Sequence, residues 1–457
     1  MMNLDTLFAG LPQDAGTTDS AELALHARDA APFGEAGRPV ALVRPETAAQ
    51  VQHVMRFASE HRVPVVPQGA RTGLAGGANA VDGCILLSLA GMNRILEIDP
   101  ASRLARCEPG VITADLARAV AEHGMSYPPD PASWETCTIG GNISTGAGGI
   151  CCVKYGVTAD YVLGLTLVLA DGTLTRIGRR TVKGVAGFDL VRLVTGSEGT
   201  LAVIVEATLA LRPAMPPALA LLAQFGSPAA AGEAVAAIVR SGHTPSAMEL
   251  LDRVTTEAIT ALGHPLLAAG AGATLIVSTE DGDLPELAKH CETAGASSVR
   301  VAADAGETRQ ILDARRLVLP ALQAQAARTP GRPAAYIEDV AVPRAQLAAF
   351  IEQIGDLADS HDVYVATIGH AGDGNLHPAV VFDAADPAAV ARAEQCYDAI
   401  MAAGLALGGT ITGEHGVGTL KRGWLARELD PPALALHRGI KQLFDPSGIL
   451  NPGKVIE

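Results

Sequence analysis

The stretch Gly369-His370-Ala371-Gly372-Asp373-Gly374-Asn375-Leu376-His377-Pro378 sets two imidazoles on either side of a turn. Asp373-Gly374 is a hairpin signal, with strand-like runs before it (Val363 to Ile368) and after it (Ala379 to Phe382). That arrangement brings His370 and His377 near the ends of paired strands, close enough to share one cation. Far along the chain, Glu414 and His415 stand between Gly413 and Gly416. Glycines there permit an irregular backbone, so that both side chains can enter one cavity. Two histidines and a carboxylate with an open position form a catalytic metal pattern. The ligand types favour Zn²⁺, with Mn²⁺ or Fe²⁺ as the other candidates. The remaining histidines, such as His26 and His53, read as ordinary core or surface residues.

Two glycine-rich stretches carry a second kind of chemistry. Pro67-Gln-Gly-Ala-Arg-Thr-Gly-Leu-Ala-Gly-Gly77 follows a short strand-like run. It lacks the Gly-Lys-Ser/Thr ending of a nucleotide-triphosphate loop and contains no GxGxxG. The other runs from Pro128 to Ser133 and from Thr138 to Gly149, and reads as a loop. Small residues let backbone N–H groups approach an anion closely. Two such stretches in one domain could line both sides of an extended pyrophosphate.

With these segments in view, the chain resembles the FAD-binding oxidase/transferase type 4 family of the vanillyl-alcohol oxidase/PCMH flavoprotein superfamily. The residues that carry the resemblance are Pro67 to Gly77, Pro128 to Gly149, Val153 to Gly156, Gly187 to Leu190, Gly196 to Leu201 and the tail Phe444 to Lys454. D-lactate dehydrogenases, glycolate oxidase flavoprotein subunits and D-2-hydroxyglutarate dehydrogenases belong to that group. The resemblance implies an α+β protein: a PCMH-type FAD-binding domain of two subdomains, an α+β cap with an antiparallel sheet covered by helices, and a C-terminal segment returning to the flavin. It implies FAD held by Pro67, Gly69, Ala70, Arg71, Thr72, Gly73, Leu74, Pro129, Asp130, Ser133, Ile139, Gly140, Gly141, Asn142, Ser144, Thr145, Gly149, Tyr155, Gly199, Ile204 and Asn451. Pro67 to Ala80 contains no histidine, so the flavin is expected to be non-covalent. Gly146 stands where relatives usually carry asparagine.

The same resemblance implies that His370, His377 and Glu414 hold the metal, that His415 is the base, and that Arg315 binds the substrate carboxylate. An imidazole with an ordinary pKa near 6.5 can take a hydroxyl proton at neutral pH. A guanidinium offers a two-pronged fork to a carboxylate. The expected reaction is oxidation of a small D-2-hydroxy acid, of the D-lactate or glycolate type, to its 2-oxo acid. Hydride would go to flavin N5, and electrons onward to an acceptor other than NAD. Relatives that use 2-hydroxyglutarate carry polar residues where this chain has Leu319, Ile337 and Ala379. Apolar groups would desolvate a second carboxylate without pairing it. The alternatives are a D-2-hydroxyglutarate dehydrogenase, a flavin-dependent transferase resembling alkylglycerone-phosphate synthase, or one subunit of a complex that passes electrons to an iron–sulfur partner. The acceptor would be a quinone, a cytochrome, an electron-transfer flavoprotein or an iron–sulfur subunit. A second copy of the chain is another candidate partner.

The elements that must position these residues are legible in outline. An amphipathic helix opens at Pro45-Glu46-Thr47 and ends near His61. Strand-like runs at Val63 to Pro67, Cys84 to Leu89, Arg94 to Ile98, Leu104 to Cys107, Val162 to Leu169, Thr173 to Ile177 and Leu201 to Leu211 frame the glycine stretches. Arg212 to Pro217 reads as a linker. Beyond it, strands alternate with alanine-rich helices, suggesting a sheet covered by helices on one face. The expected domains are 1–215 (FAD-binding), 216–407 (substrate and cap) and 408–457 (a segment completing the active site).

Composition narrows the function classes. The 457 residues carry 34 Lys and Arg against 49 Asp and Glu, a net charge of -15. That field repels nucleic acid. Seven cysteines with no CxxC spacing argue against a disulfide framework, a zinc-thiolate site or a resident iron–sulfur cluster. The opening Met1-Met2-Asn3-Leu4-Asp5 lacks the basic and apolar regions of a leader peptide. No run reaches the ~18 apolar residues of a spanning helix. The expected location is cytoplasmic, at most peripheral at the inner face of a membrane.

Overall fold

The computed structural model describes residues 4–31, 33–328, 331 and 333–456. Met1, Met2 and Asn3, on which part of the leader-peptide reading rests, lie outside the described residues. The chain divides into two compact units. The first comprises Met1–Gly149, Gly156–Ala214 and Glu414–Glu457; the second comprises Ile150–Tyr155 and Met215–Gly413.

The described residues of the first unit form two larger sheets and a small antiparallel pair, Met125–Ser126 with Arg212–Pro213, so the start of the expected linker is a short strand. In one larger sheet, strands Ala41–Val43, Ile85–Ser88 and Val65–Gln68 lie parallel in that spatial order, with Gly16–Thr17 added antiparallel at one edge. Helix Ala48–His61 covers it, burying Val51, Val54, Met55 and Ala58 at the three-and-four spacing of an apolar stripe. The Thr47 hydroxyl caps its start, and Arg62 in the left-handed region ends it. The other sheet is antiparallel, in the order Ile95–Asp99, Leu104–Cys107, Val203–Ala210, Val162–Val168, Leu174–Gly178. The C-terminal tail returns to the parallel sheet. The Val65 amide donates to Ile449 O and the Asn451 amide to Val65 O, both at 2.8 Å.

The second glycine stretch is not wholly loop. Ile139–Thr145 forms a short helix, with the Thr138 hydroxyl accepting from the Gly141 amide and Gly146 closing it at φ 73°. Glycine content alone argues for a loop. The glycine at 140 has a packing reason instead: a Cβ there would lie 2.5 Å from Pro109 Cβ. The left-handed conformation at position 146 favours glycine there.

The second unit is built on an eight-stranded antiparallel sheet. Its spatial order is Ala296–Val301, Leu219–Phe225, Ala273–Thr279, Ala247–Asp252, Tyr364–His370, Asn375–Asp383, Pro333–Ile337, with Val340–Ala341 also pairing on Asn375–Asp383. Helices cover both faces, not one. Arg253–Ala261, Ala305–Arg316 and Val318–Ala326 pack on one side. Pro228–Arg240, Leu284–Thr293, Leu347–His361 and Pro387–Ala406 pack on the other. All seven residues of Ala273–Thr279 are accordingly buried, which a strand with one wet face would not show.

Asp252 ties helix to sheet. One carboxylate oxygen accepts from the Thr255 amide at the helix start, 2.7 Å, and the other from the Thr367 amide, 2.8 Å. Desolvation raises this carboxyl from 3.8 to about 6 despite those bonds. Between those values the unfolded chain releases its proton while the folded chain keeps it. The contribution to stability therefore falls as pH rises through that window and is level above it. Asp252→Asn removes this pH dependence but turns an NH₂ group against a backbone donor, costing about 1–3 kcal/mol at pH 7. Urea unfolding from pH 4 to 7 should show the wild-type advantage over this variant shrinking as pH rises.

Candidate functional site

The first unit contains a cleft lined by both glycine stretches, by Glu198, Gly199, Ala202 and Ile204, and by Glu414 and His415. The two stretches meet face to face. A Cβ at Gly69 would lie 2.3 Å from Thr138 Oγ1, one at Gly77 2.7 Å from Glu198 Oε2, and one at Gly148 2.4 Å from Glu414 Oε2. Among the described residues, none of the amide N–H groups from Ala70 to Leu74 is matched to an acceptor in the chain. Half-buried donors of this kind call for acceptors from elsewhere, and phosphate oxygens supply them. The cleft therefore fits an extended pyrophosphate.

Glu198, with φ at 51°, accepts from the Val417 amide at 2.7 Å and the Gly418 amide at 2.9 Å. Burial raises its carboxyl from 4.5 to about 6 against the pull of those two bonds. Asn451, also at positive φ, donates to Gly77 O at 2.8 Å and Glu198 O at 2.7 Å. The tail thus clamps the first glycine loop to the Glu198 turn. Arg71, in the left-handed region, places a guanidinium nitrogen against His26 Nδ1. Burial, and then the Arg71 charge, hold the His26 imidazole below its usual range.

In the second unit, one face of the sheet changes character along its length. Leu251, Ile368, Ala366, Ala379 and Val381 belong to the apolar core under the helices. At one end of the same face stand Glu249, His370 and His377. Glu249 lies directly opposite His370 in register, and Ile368 opposite His377. The two imidazole centroids are 5.2 Å apart. His370 Nδ1 is 2.6 Å from Glu249 Oε1, and His377 Nδ1 is 3.1 Å from Glu338 O. Arg315 Nε donates to Glu249 Oε2 at 2.7 Å. Burial alone would raise the Glu249 carboxyl, but the His370 and Arg315 contacts outweigh it and hold it below the usual range. Asp339, fully buried, accepts from the Thr412 hydroxyl at 2.6 Å and the Gly413 amide at 2.8 Å.

A carbonyl only accepts, so His377 Nδ1 is the donor in that bond. An ionised Glu249 makes the same assignment for His370. Imidazoles whose Nδ1–H is taken by a carboxylate or carbonyl are oriented as metal ligands are. The donor set therefore suits a divalent cation.

The expected flavin residues divide by position. Pro67, Gly69 to Leu74, Ser133, Gly140, Gly141, Asn142, Ser144, Thr145, Gly199 and Ile204 line the cleft. Pro129, Asp130, Ile139, Gly149 and Asn451 lie in the same unit but outside that lining, and Tyr155 belongs to the second unit. Asn142 spends its amide on Thr113 Oγ1 at 2.8 Å. Among the substrate-size positions, Ile337 and Ala379 are cross-strand partners against the core, while Leu319 is half exposed. Sequence reasoning missed Glu249, Glu338, Asp339 and the role of Glu198. A signal existed for one: Glu249 occupies an inward position in Ala247–Asp252, where alternation calls for an apolar residue.

The fold is that of the PCMH/vanillyl-alcohol oxidase type, and the chain belongs to the FAD-linked oxidases. Residues 39–178 match the FAD binding domain family and residues 217–455 match the family of FAD linked oxidases, C-terminal domain. The protein is an FAD-linked oxidoreductase. It is 40% identical over 423 residues to "Glycolate oxidase subunit GlcD" of Bacillus subtilis, covering 91% of this chain and 89% of that one. It is 38% identical to the protein of the same name in Escherichia coli K12, covering 92% and 84%. It is 35% identical to "D-lactate dehydrogenase" of Archaeoglobus fulgidus, covering 91% of each. Among solved structures, p-cresol methylhydroxylase superposes with a TM-score of 0.79 at 20% identity, covering 99% and 96%. Alkyldihydroxyacetonephosphate synthase superposes at 0.76 and 18%, covering 98% and 85%. At those identities the likeness concerns the fold. Among the described residues, no helix is long and apolar enough to cross a membrane.

Asn451→Ala removes two hydrogen bonds and places alanine where φ is 40°. It should destabilise the first unit by about 2–4 kcal/mol, from two lost bonds and left-handed strain. It should also lower retained FAD, read as the flavin-to-protein absorbance ratio after gel filtration. Asn451→Asp, which cannot donate to the two carbonyls, should lose flavin as well.

Proposed function

We propose that the chain is an FAD-dependent dehydrogenase of a small D-2-hydroxy acid, of the D-lactate or glycolate type, assisted by a divalent cation. The observation that carries the cation is the setting of His370 and His377: the two rings lie side by side, their centroids 5.2 Å apart, and each turns Nδ1 to a buried acceptor, as metal-bound imidazoles do. The names of the relatives support the substrate class. His370, His377 and Glu414 would hold the cation, Zn²⁺ first among candidates, which when bound supplies Lewis acidity toward a hydroxyl. Bound FAD supplies the acceptor for a hydride from C2. His415 takes the hydroxyl proton; its side chain is 17% exposed, so substrate and solvent can both reach it. Arg315, whose Nε is committed to Glu249, turns its remaining donors to the substrate carboxylate.

A second reading concerns assembly. Two relatives are named as subunits, and the cysteine spacing here holds no cluster. The acceptor of the electrons would then sit on another chain, with a quinone, a cytochrome or an electron-transfer flavoprotein as the other acceptors.

Anaerobic flavin bleaching tests the reaction. D-lactate or glycolate should bleach the flavin, D-2-hydroxyglutarate much less. A chelator should stop the bleaching, and Zn²⁺ or Mn²⁺ should restore it. His415→Ala should slow it about 10²–10⁴-fold with flavin content unchanged. Unaltered bleaching in that variant would remove His415 from the proton transfer.

A further inference from the structure

We infer that Glu249 is a positioning residue that sets His370 and Arg315 together, so that the metal end and the carboxylate end of the substrate site share one anchor. The inference rests on the reading above, in which His370 binds the cation and Arg315 the substrate.

The geometry is a bridge. One oxygen of Glu249 meets His370 Nδ1 at 2.6 Å and the other meets Arg315 Nε at 2.7 Å. The carboxylate is almost completely buried, as is the imidazole. Glu249 and His370 face each other across adjacent strands, while Arg315 comes from helix Ala305–Arg316 above the same face. Two positions further along the strand, Leu251 takes that face and packs in the apolar core. Alternation alone would therefore put an apolar side chain at 249. A carboxylate there is costly to desolvate, and a buried ion pair is often no better for stability than well-packed apolar groups. What the carboxylate supplies that a leucine cannot is orientation. It fixes the proton of His370 on Nδ1, which leaves Nε2 as the ligand atom. It holds Arg315 by Nε, which leaves the two terminal nitrogens as a fork. Because one group serves both, a change at Arg315 must be felt at His370, which separate anchors would not produce.

The test uses the full FAD-loaded chain, wild type and Glu249→Gln, Glu249→Asp and Arg315→Met. Melting temperature and flavin content check folding. In metal-free wild type, ¹⁵N spectra should show His370 protonated at Nδ1. Competition with a chelator should show Co²⁺ and Zn²⁺ bound about 10–100-fold more weakly by Glu249→Gln. The visible band of bound Co²⁺ should change shape in the same variant, and Glu249→Asp should recover part of both. Arg315→Met should weaken Co²⁺ binding too, although it removes no ligand. Protonation of His370 at Nε2 in the wild type, or a Glu249→Gln chain with wild-type affinity and band, overturns the inference. Should Glu249→Gln fail to fold, Glu249→Asp and Arg315→Met carry the same readouts, and wild-type affinity in both overturns it. A wild type that binds neither cation overturns the metal reading itself, and is told apart because the failure is then seen before any substitution.

Discussion

A charge taken out of water has to be shared, and this constraint organises both units. Glu249 is divided between an imidazole and a guanidinium. Asp339 is divided between a hydroxyl and an amide of the segment 412–413. In the first unit Glu198 holds two amides of the returning chain, and Lys454, almost fully buried, donates to Asn79 O at 2.8 Å. Glu249 sits where the apolar core of the second sheet ends. The apolar frameworks themselves are ordinary: alternating strands, amphipathic helices and continuous cores.

The first unit is assembled from three separated stretches, and its last one, Glu414–Glu457, follows nearly two hundred residues of the second unit. Its docking is specified by backbone pairing of Ile449 to Asn451 with Val65, and by the Asn451 and Lys454 side chains reaching carbonyls near the first glycine loop. Residues that line one cleft thus come from opposite ends of the sequence.

Net charge and local charge point in different directions. The chain carries -15 overall, yet the glycine loops offer an anion a set of backbone N–H dipoles that do not depend on side-chain charge. Burial of Glu198 raises its carboxyl to about 6, which keeps further negative charge off the cleft in mildly acid conditions. An acidic protein can in this way take an anionic cofactor without a basic surface.

By itself the sequence determined the fold class, the glycine stretches on either side of a cleft, and the His370 and His377 hairpin around Asp373-Gly374. The fold class was legible through the family resemblance that several motifs carry; the glycine stretches and the hairpin are local signals, small residues where the backbone must come close and turn chemistry. It left undecided what only three-dimensional packing decides. That residue 140 must be glycine depends on the close approach of Pro109, thirty-one positions earlier. That helices cover both faces of the second sheet depends on strand order, which no single strand encodes. That Glu249, 121 positions before His370, is its partner depends on the register of two strands that meet only when the sheet is formed. Buried polar groups are matched across such distances by tertiary geometry, and the sequence records only that a charge stands where an apolar residue would ordinarily lie.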